Sequence, residues 1–292
     1  ALKYLSSMLP KDAGREFAHD GKKSAGKPRG AGLIFILAFG IVAVLFGKLN
    51  WEILIYLVLT MASMLTGYLD DASKNPWGEF KKGALDLLIA CLVAGTYLAF
   101  NGSEIFINVL GESISLNPIV FFILAVILVW VSINVTNCTD GVDGLSGTLS
   151  VITLFTIYLL ESVKGTNSAI NYITLILIAC VLAYIWFNAT PSKLMMGDAG
   201  SRALGIFISI AILKTGSPLL YIPVALMLII DGGLGLLKIS FRRFLKIEIL
   251  NNVRTPIHDH VRKKNEWSNT QVVFRFAIIQ IIVSFCVIYL IK

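Results

Sequence analysis

Six aspartates and two histidines are concentrated in four short polar segments of an otherwise apolar chain. They are Asp70 and Asp71 in TGYLDDASK, Asp140 and Asp143 in NCTDGVDGLSG, Asp198 in FNATPSKLMMGDAGSRALG, and His258, Asp259 and His260 in RTPIHDHVRKKNEW. Carboxylates brought within ~5 Å of one another repel by roughly a few kcal/mol per pair at an effective dielectric near ~20, so a fold that gathers them must protonate some or hold a cation. Mg2+ beside a diphosphate resolves that repulsion. Lys27, Lys74, Lys81, Lys82, Arg254 and the run from Arg262 to Lys264 supply positive charge for the remaining phosphate oxygens.

Taken singly, each segment also has a plain structural explanation. Adjacent residues on a helix point ~100° apart, so Asp70 and Asp71 cannot share a face, whereas Lys74 can pair with either at a solvated helix end. MGDAGSRALG reads as a tight turn feeding a short apolar helix with Ser201 as N-cap. Equally, its backbone N–H groups suit an anion, and Asp198 offers oxygen to a hard cation. Neither this segment nor GKPRGAG has the spacing of a Walker loop. His258 and His260 lack the further soft ligands of a structural zinc site, and suit contact with phosphate or proton movement. In NCTDGVDGLSG, aspartate and glycine are the residues that stop one helix and start the next.

These segments punctuate a chain of 292 residues that is 56% hydrophobic and 15% charged, with a mean hydropathy of +0.79, which excludes an ordinary soluble domain. Apolar stretches recur at roughly 31–49, 51–69, 84–100, 117–135, 145–160, 170–187, 202–214, 218–240 and 271–291, each about the length that crosses ~30 Å of hydrocarbon as helix. Runs such as FFILAVILVW lack the alternation of a membrane barrel. The expected fold is an all-α polytopic membrane protein of about nine spans. It forms one integral membrane domain over 1–292, with a basic arm over 1–30 and a long polar segment over 241–270.

If the spans alternate, 21 of the 25 Lys and Arg residues fall on one side, which makes that side cytoplasmic. The four Asp-bearing segments share it, so the active site is expected at the cytoplasmic face. A basic face toward anionic lipid headgroups and phosphorylated substrates explains the net charge of +7 without nucleic acid. Connections on the other side, such as NGSEIFINVLGESIS, read as solvated loops. Cys91, Cys138, Cys180 and Cys286 have no metal or redox spacing and read as reduced packing residues. Because the chain begins with Ala and a basic arm, a first helix is expected to be missing upstream. Asp231 in LMLIIDGGLGLLK is the one acid suited to an ion-coupled transporter. A helix kink that turns it toward the polar face is the preferred reading, because the other acids cluster there.

In order and spacing, GYLDDASK, NCTDGVDGL, FNATPSKLMMGDAGS and RTPIHDHVRKKNEWSNTQVVFRF resemble the signature segments of the polyprenyl-phosphate N-acetylhexosamine-1-phosphate transferases. The last is most similar to the branch of phospho-N-acetylmuramoyl-pentapeptide transferases, in which PIHHH is followed by a Trp and QVVxRF. The resemblance covers nearly the whole chain. It implies ten family helices, of which the first is absent here, in a bacterial inner membrane. It also implies Mg2+-dependent transfer of phospho-MurNAc-pentapeptide from UDP-MurNAc-pentapeptide to undecaprenyl phosphate, giving lipid I and UMP in peptidoglycan synthesis. A homodimer is the candidate assembly. A sister enzyme using UDP-GlcNAc is the nearer alternative, disfavoured by the PIHDH ending.

By motif position the resemblance makes Asp70, Asp71, His258 and His260 catalytic and Asp198 the metal ligand. It assigns substrate binding to Lys27, Lys74, Asn137, Asp140, Gly141, Val142, Asp143, Asn188, Met195 and Asp259. Among these, Gly141, Val142 and Asp143 fall on the uridine-holding segment. Asp259 stands where the branch has its middle histidine, and KPRGAG stands where it has TPTMGG, so both positions depart from the pattern.

Overall fold

Every apolar stretch identified in the sequence is helical in the computed structural model, which describes residues 1–12, 14, 24–73, 75–165 and 168–291. Lys74 lies outside the described residues. The helices are α1 Gly32–Phe46, α2 Trp51–Asp71, α3 Glu79–Asn101, α4 Pro118–Cys138, α5 Leu145–Val163, α6 Ala169–Asn188 and α7 Gly197–Lys214. A bent pair follows, Pro218–Val224 and α8 Leu226–Leu245, then the short α9 Ile257–Lys264 and finally α10 Asn269–Ile291. Among the described residues, α2 to α6 and α10 are each long and apolar enough to cross a membrane alone, and the bent pair is a seventh candidate. α1 is shorter, at 15 residues.

Local chemistry sets the ends. Asn50 caps α2 by accepting from the N–H of Ile53 at 2.8 Å, Ser168 caps α6, and Pro118 opens α4 behind Asn117. The 104–115 connection departs from the expected solvated loop. Glu104–Ile107 pairs antiparallel with Glu112–Ser115, and Phe106 N–H donates to Gly216 O at 2.8 Å, so the hairpin is tied to the chain leaving α7.

The core is organised around α7, whose residues from Gly197 to Leu213 are all buried. α2 and α4 pack along it, and α1, α3, α5 and α6 complete the wall. A helix apolar on every side is stable only when enclosed in this way. The 71° bend between the halves of the broken helix leaves backbone groups that hydrocarbon cannot satisfy. Gln280 of α10 satisfies both sides of the break: its Oε1 accepts from Met227 N–H at 2.9 Å and its Nε2 donates to Pro223 O at 3.1 Å. Alternation of the helices brings the ends of α2, α4 and α6 and the starts of α3, α5 and α7 to one end of the bundle.

Candidate active site

The site begins with a backbone contact. A Cβ on Gly67 would sit 2.4 Å from Asp198 O and 2.6 Å from Ala199 N, so only glycine lets α2 lie against the start of α7. That approach delivers the Asp71 carboxylate to the N-terminus of α7, where Oδ2 accepts from Ala199 N–H at 3.1 Å. The segment before α1 then pairs with the segment before α7: Met195 N–H donates to Pro28 O at 2.8 Å and Ala31 N–H to Met195 O at 3.0 Å. This sets Arg29 over the carboxylates, with Nε 2.9 Å from Asp71 Oδ1, Nη2 3.6 Å from Asp198 Oδ1 and Nη1 3.7 Å from Asp12 Oδ1.

From the first turn of α3, Lys82 reaches the same cluster, 3.1 Å from Asp198 Oδ2 and ion-paired with Asp70. The other oxygen of Asp70 accepts from Trp77 N–H at 2.7 Å. One turn deeper, Asp86 of α3 pairs with the buried Arg202 of α7. Lys82 and Asp86 lie four apart on one helix, Asp198 and Arg202 four apart on the other, so two rungs of opposite polarity lock α3 to α7.

Asp70 is 5% exposed and the Asp71 side chain is fully buried, which rules out the solvated helix end. Four carboxylates, Asp12, Asp70, Asp71 and Asp198, face two cations, Arg29 and Lys82. Burial works against the charge of Arg29, but Asp71, Asp198 and Asp12 outweigh it and hold its pKa above the ordinary value. Arg29 Nε and Asp71 Oδ1 are close but misaligned, and neither completes a hydrogen bond.

Among the described residues, no three His, Cys, Asp or Glu side chains form a ready-made metal cage. Mg2+ does not need one, because it takes one or two protein carboxylates and fills its shell with water and phosphate oxygens. The surplus carboxylate charge and the unsatisfied Asp71 Oδ1 fit such an ion.

Beside this cluster lies a cavity of about 1190 Å3. Lys27, Asn137, Asp140, Gly141, Val142, Asp143, Asn188, Met195, Asp198, His258 and Asp259 line it, whereas Asp70, Asp71 and His260 do not. Asp198 therefore joins the two regions. Asp143 Oδ2 accepts from Ser192 N–H at 3.2 Å and lies 3.7 Å from Lys27 Nζ, which itself donates to Ser192 Oγ at 2.9 Å. Asn188 turns both ends of its amide to the backbone, accepting from Gly144 N–H at 2.8 Å and donating to Leu194 O at 2.9 Å, and so splices two walls together.

Several sequence expectations change. Ser201 is not the N-cap of α7, which starts four residues earlier; its hydroxyl donates to Gly197 O at 3.0 Å and accepts from Asn137 Nδ2 at 2.9 Å. His260 Nδ1 accepts from Arg254 N–H at 3.1 Å, outside the cavity lining. Lys82 neutralises carboxylates, and Lys81 stacks over the Trp77 ring at 3.4 Å. Asp259 lies 3.5 Å from Arg262 and 3.7 Å from Arg254. Asp231 is wholly buried and faces His258, Oδ1 accepting from His258 N–H at 2.7 Å and Oδ2 lying 2.8 Å from Nδ1. This position, in an irregular stretch of helix behind the cavity, agrees with the preferred reading of Asp231 as a kink turned toward the polar face. Arg29, two residues beyond Lys27, and its partner Asp12 are participants that sequence reasoning misses, since the pairing of 28–32 with 195–196 is what sets Arg29 there.

A buried carboxylate cluster opening onto a cavity lined by Lys27, Arg262 and Lys263 among five carboxylates is suited to a diphosphate ester that arrives with its cation. Residues 53–216 match the model of glycosyl transferase family 4. The phospho-N-acetylmuramoyl-pentapeptide-transferase of Treponema pallidum (strain Nichols) is 40% identical over 291 residues, covering 94% of this chain and 80% of the relative. The proteins of the same name from Thermotoga neapolitana and Helicobacter pylori (strain Shi470) are 28% and 26% identical, covering 89% and 95% of this chain and 83% and 82% of theirs.

Proposed function

The chain belongs to glycosyl transferase family 4 and, within it, to the phospho-N-acetylmuramoyl-pentapeptide transferases, and from that premise we propose how its cavity and carboxylate cluster divide the reaction. It is a multi-pass membrane transferase of peptidoglycan synthesis. In our reading the donor is UDP-MurNAc-pentapeptide and the acceptor undecaprenyl phosphate. The observation that carries this reading is the place of Asp198, which lines the cavity and shares both cations of the buried cluster.

The nucleotide lies along Gly141 and Val142, with Asp143, held by Lys27 and Ser192, binding uridine. Lys27, Arg262 and Lys263 neutralise the diphosphate. An oxygen of the lipid phosphate attacks the sugar-linked phosphorus; as that P–O bond forms, the bond to UMP breaks and UMP leaves. Asp70 and Asp71 order the cations around this centre more than they remove protons, because the lipid phosphate is already ionised near neutral pH. A bound Mg2+ would supply charge neutralisation at the diphosphate, and Asp198 with Asp71 are the residues that would hold it.

The excess of Lys and Arg on the polar-segment side supports a cytoplasmic active site in the bacterial inner membrane. A homodimer is a separate proposal for cross-linking to test.

Purified protein given UDP-MurNAc-pentapeptide and a polyprenyl phosphate should release UMP and form a lipid-linked sugar only when Mg2+ is added. Equal or better use of UDP-GlcNAc as donor overturns the substrate assignment, and turnover undiminished by chelation overturns the metal.

A further inference from the structure

Asp231 belongs to none of the four polar segments, yet it is completely buried in the broken helix at Ile229–Gly233. A Cβ on the next residue, Gly232, would lie 2.4 Å from Val135 O, so this stretch is pressed against α4 backbone to backbone and its carboxylate has a fixed origin. Both oxygens are committed to one residue, the backbone N–H and the Nδ1 of His258. On the far side of the ring, a Cβ on Gly141 would lie 2.3 Å from His258 Nε2, so this nitrogen packs against the turn that lines the cavity, with Asp259 Oδ1, also in the lining, 3.9 Å away.

We propose that Asp231 is a positioning residue for His258: it grips the first turn of α9, keeps a proton on Nδ1 and leaves Nε2 as the nitrogen offered to substrate. A carboxylate accepting from two donors fixes both ring plane and tautomer, and it compensates the charge when the ring is doubly protonated. Asparagine cannot do the same. Turning its oxygen to the backbone N–H sets its NH2 against Nδ1 and drives the ring proton to Nε2; turning it the other way sets NH2 against N–H. The inference rests on the transferase reading for what Nε2 meets, but not for the pair itself.

Two measurements test it. With only three histidines in the chain, 15N-histidine NMR on protein in detergent, assigned with His258→Ala and recorded where the ring is neutral, should show His258 protonated on Nδ1 in the parent and on Nε2 in Asp231→Asn. In turnover, Asp231→Asn and His258→Ala should each lower kcat by about 100-fold with KM for the nucleotide donor within about threefold. The double variant should be no slower than His258→Ala, and Asp231→Glu should recover part of the loss. An unchanged tautomer in Asp231→Asn, or losses that multiply in the double variant, overturns the proposal. A parent protein that releases no UMP overturns the transferase reading instead, and the NMR result still decides the pair.

Discussion

At one end of α2, α3 and α7, Glu52 is met from every side: Lys214 Nζ lies 2.9 Å from both its oxygens, Asn101 donates to it at 2.6 Å and Tyr56 at 3.1 Å. Lys214 in turn donates to Asn101 Oδ1 at 2.6 Å. At the other end of the same helices, Asp70, Asp71 and Asp198, joined by Asp12, share Lys82 and Arg29, and Asp71 Oδ1 and Arg29 Nε are left without aligned partners. Both clusters are buried, ionic and built from residues distant in the chain. They differ in the remainder. One charge against one charge with spare donors is a closed structural account, whereas surplus negative charge beside a cavity is an arrangement that a ligand completes.

The sharpest way to break the comparison is to remove charge at each end. Asp71→Asn still accepts from Ala199 N–H and relieves the surplus, so UMP release should fall by about 1000-fold or more, roughly 4 kcal/mol of barrier, while the thermal midpoint holds or rises. A midpoint that falls with the activity would mean that the cluster is a structural one after all. Lys214→Met should do the reverse. It leaves Glu52 buried and unpaired, about 3–5 kcal/mol of stability, with turnover per folded molecule unchanged, and adding Glu52→Gln should restore stability to within about 1 kcal/mol of the parent. A tenfold loss of turnover in folded Lys214→Met would show that the two ends are coupled through α7.

Asn188 tests the middle of the scale, since it lines the cavity and yet has its amide fully used by backbone. Asn188→Ala leaves Gly144 N–H and Leu194 C=O buried without their partner, about 1–3 kcal/mol each at most. Because those groups belong to two cavity walls, the loss should enter KM for the nucleotide donor, by about tenfold, more than kcat. A kcat defect at unchanged KM would instead make Asn188 a participant in the chemistry.

How much of this is legible in the sequence follows from the range of each interaction. The helices are legible because the apolar runs state them locally, and the grouping of Asp70, Asp71 and Asp198 because alternating spans bring alternate loops to one side. The counter-charges are not. Lys82 lies 116 residues from Asp198 in sequence, and Lys214 lies 162 from Glu52, distances at which residue type alone does not select a partner. The role of Asp231 is hidden for the same reason: its GlyGly neighbours signal a kink, but the histidine it holds is 27 residues away. The reading of Ser201 as a cap fails locally, because Gly197, at φ +71°, starts the helix earlier than the hydroxyl suggests.

The smallest effect belongs to Arg243, which pairs with Glu79 at 2.9 Å near the start of α3. Its closest approach equals that of Lys214 to Glu52, but its side chain is 48% exposed and that of Glu79 is 75% exposed. Water and salt already satisfy both charges, so the pair adds little beyond what solvent provides. Arg243→Ala should therefore shift stability by less than about 1 kcal/mol, by an amount that shrinks further in high salt, with turnover unchanged. A loss as large as that of Lys214→Met would mean that distance, not burial and charge balance, ranks the ionic contacts of this protein, and the contrast between the two ends of α2, α3 and α7 would lose its physical basis.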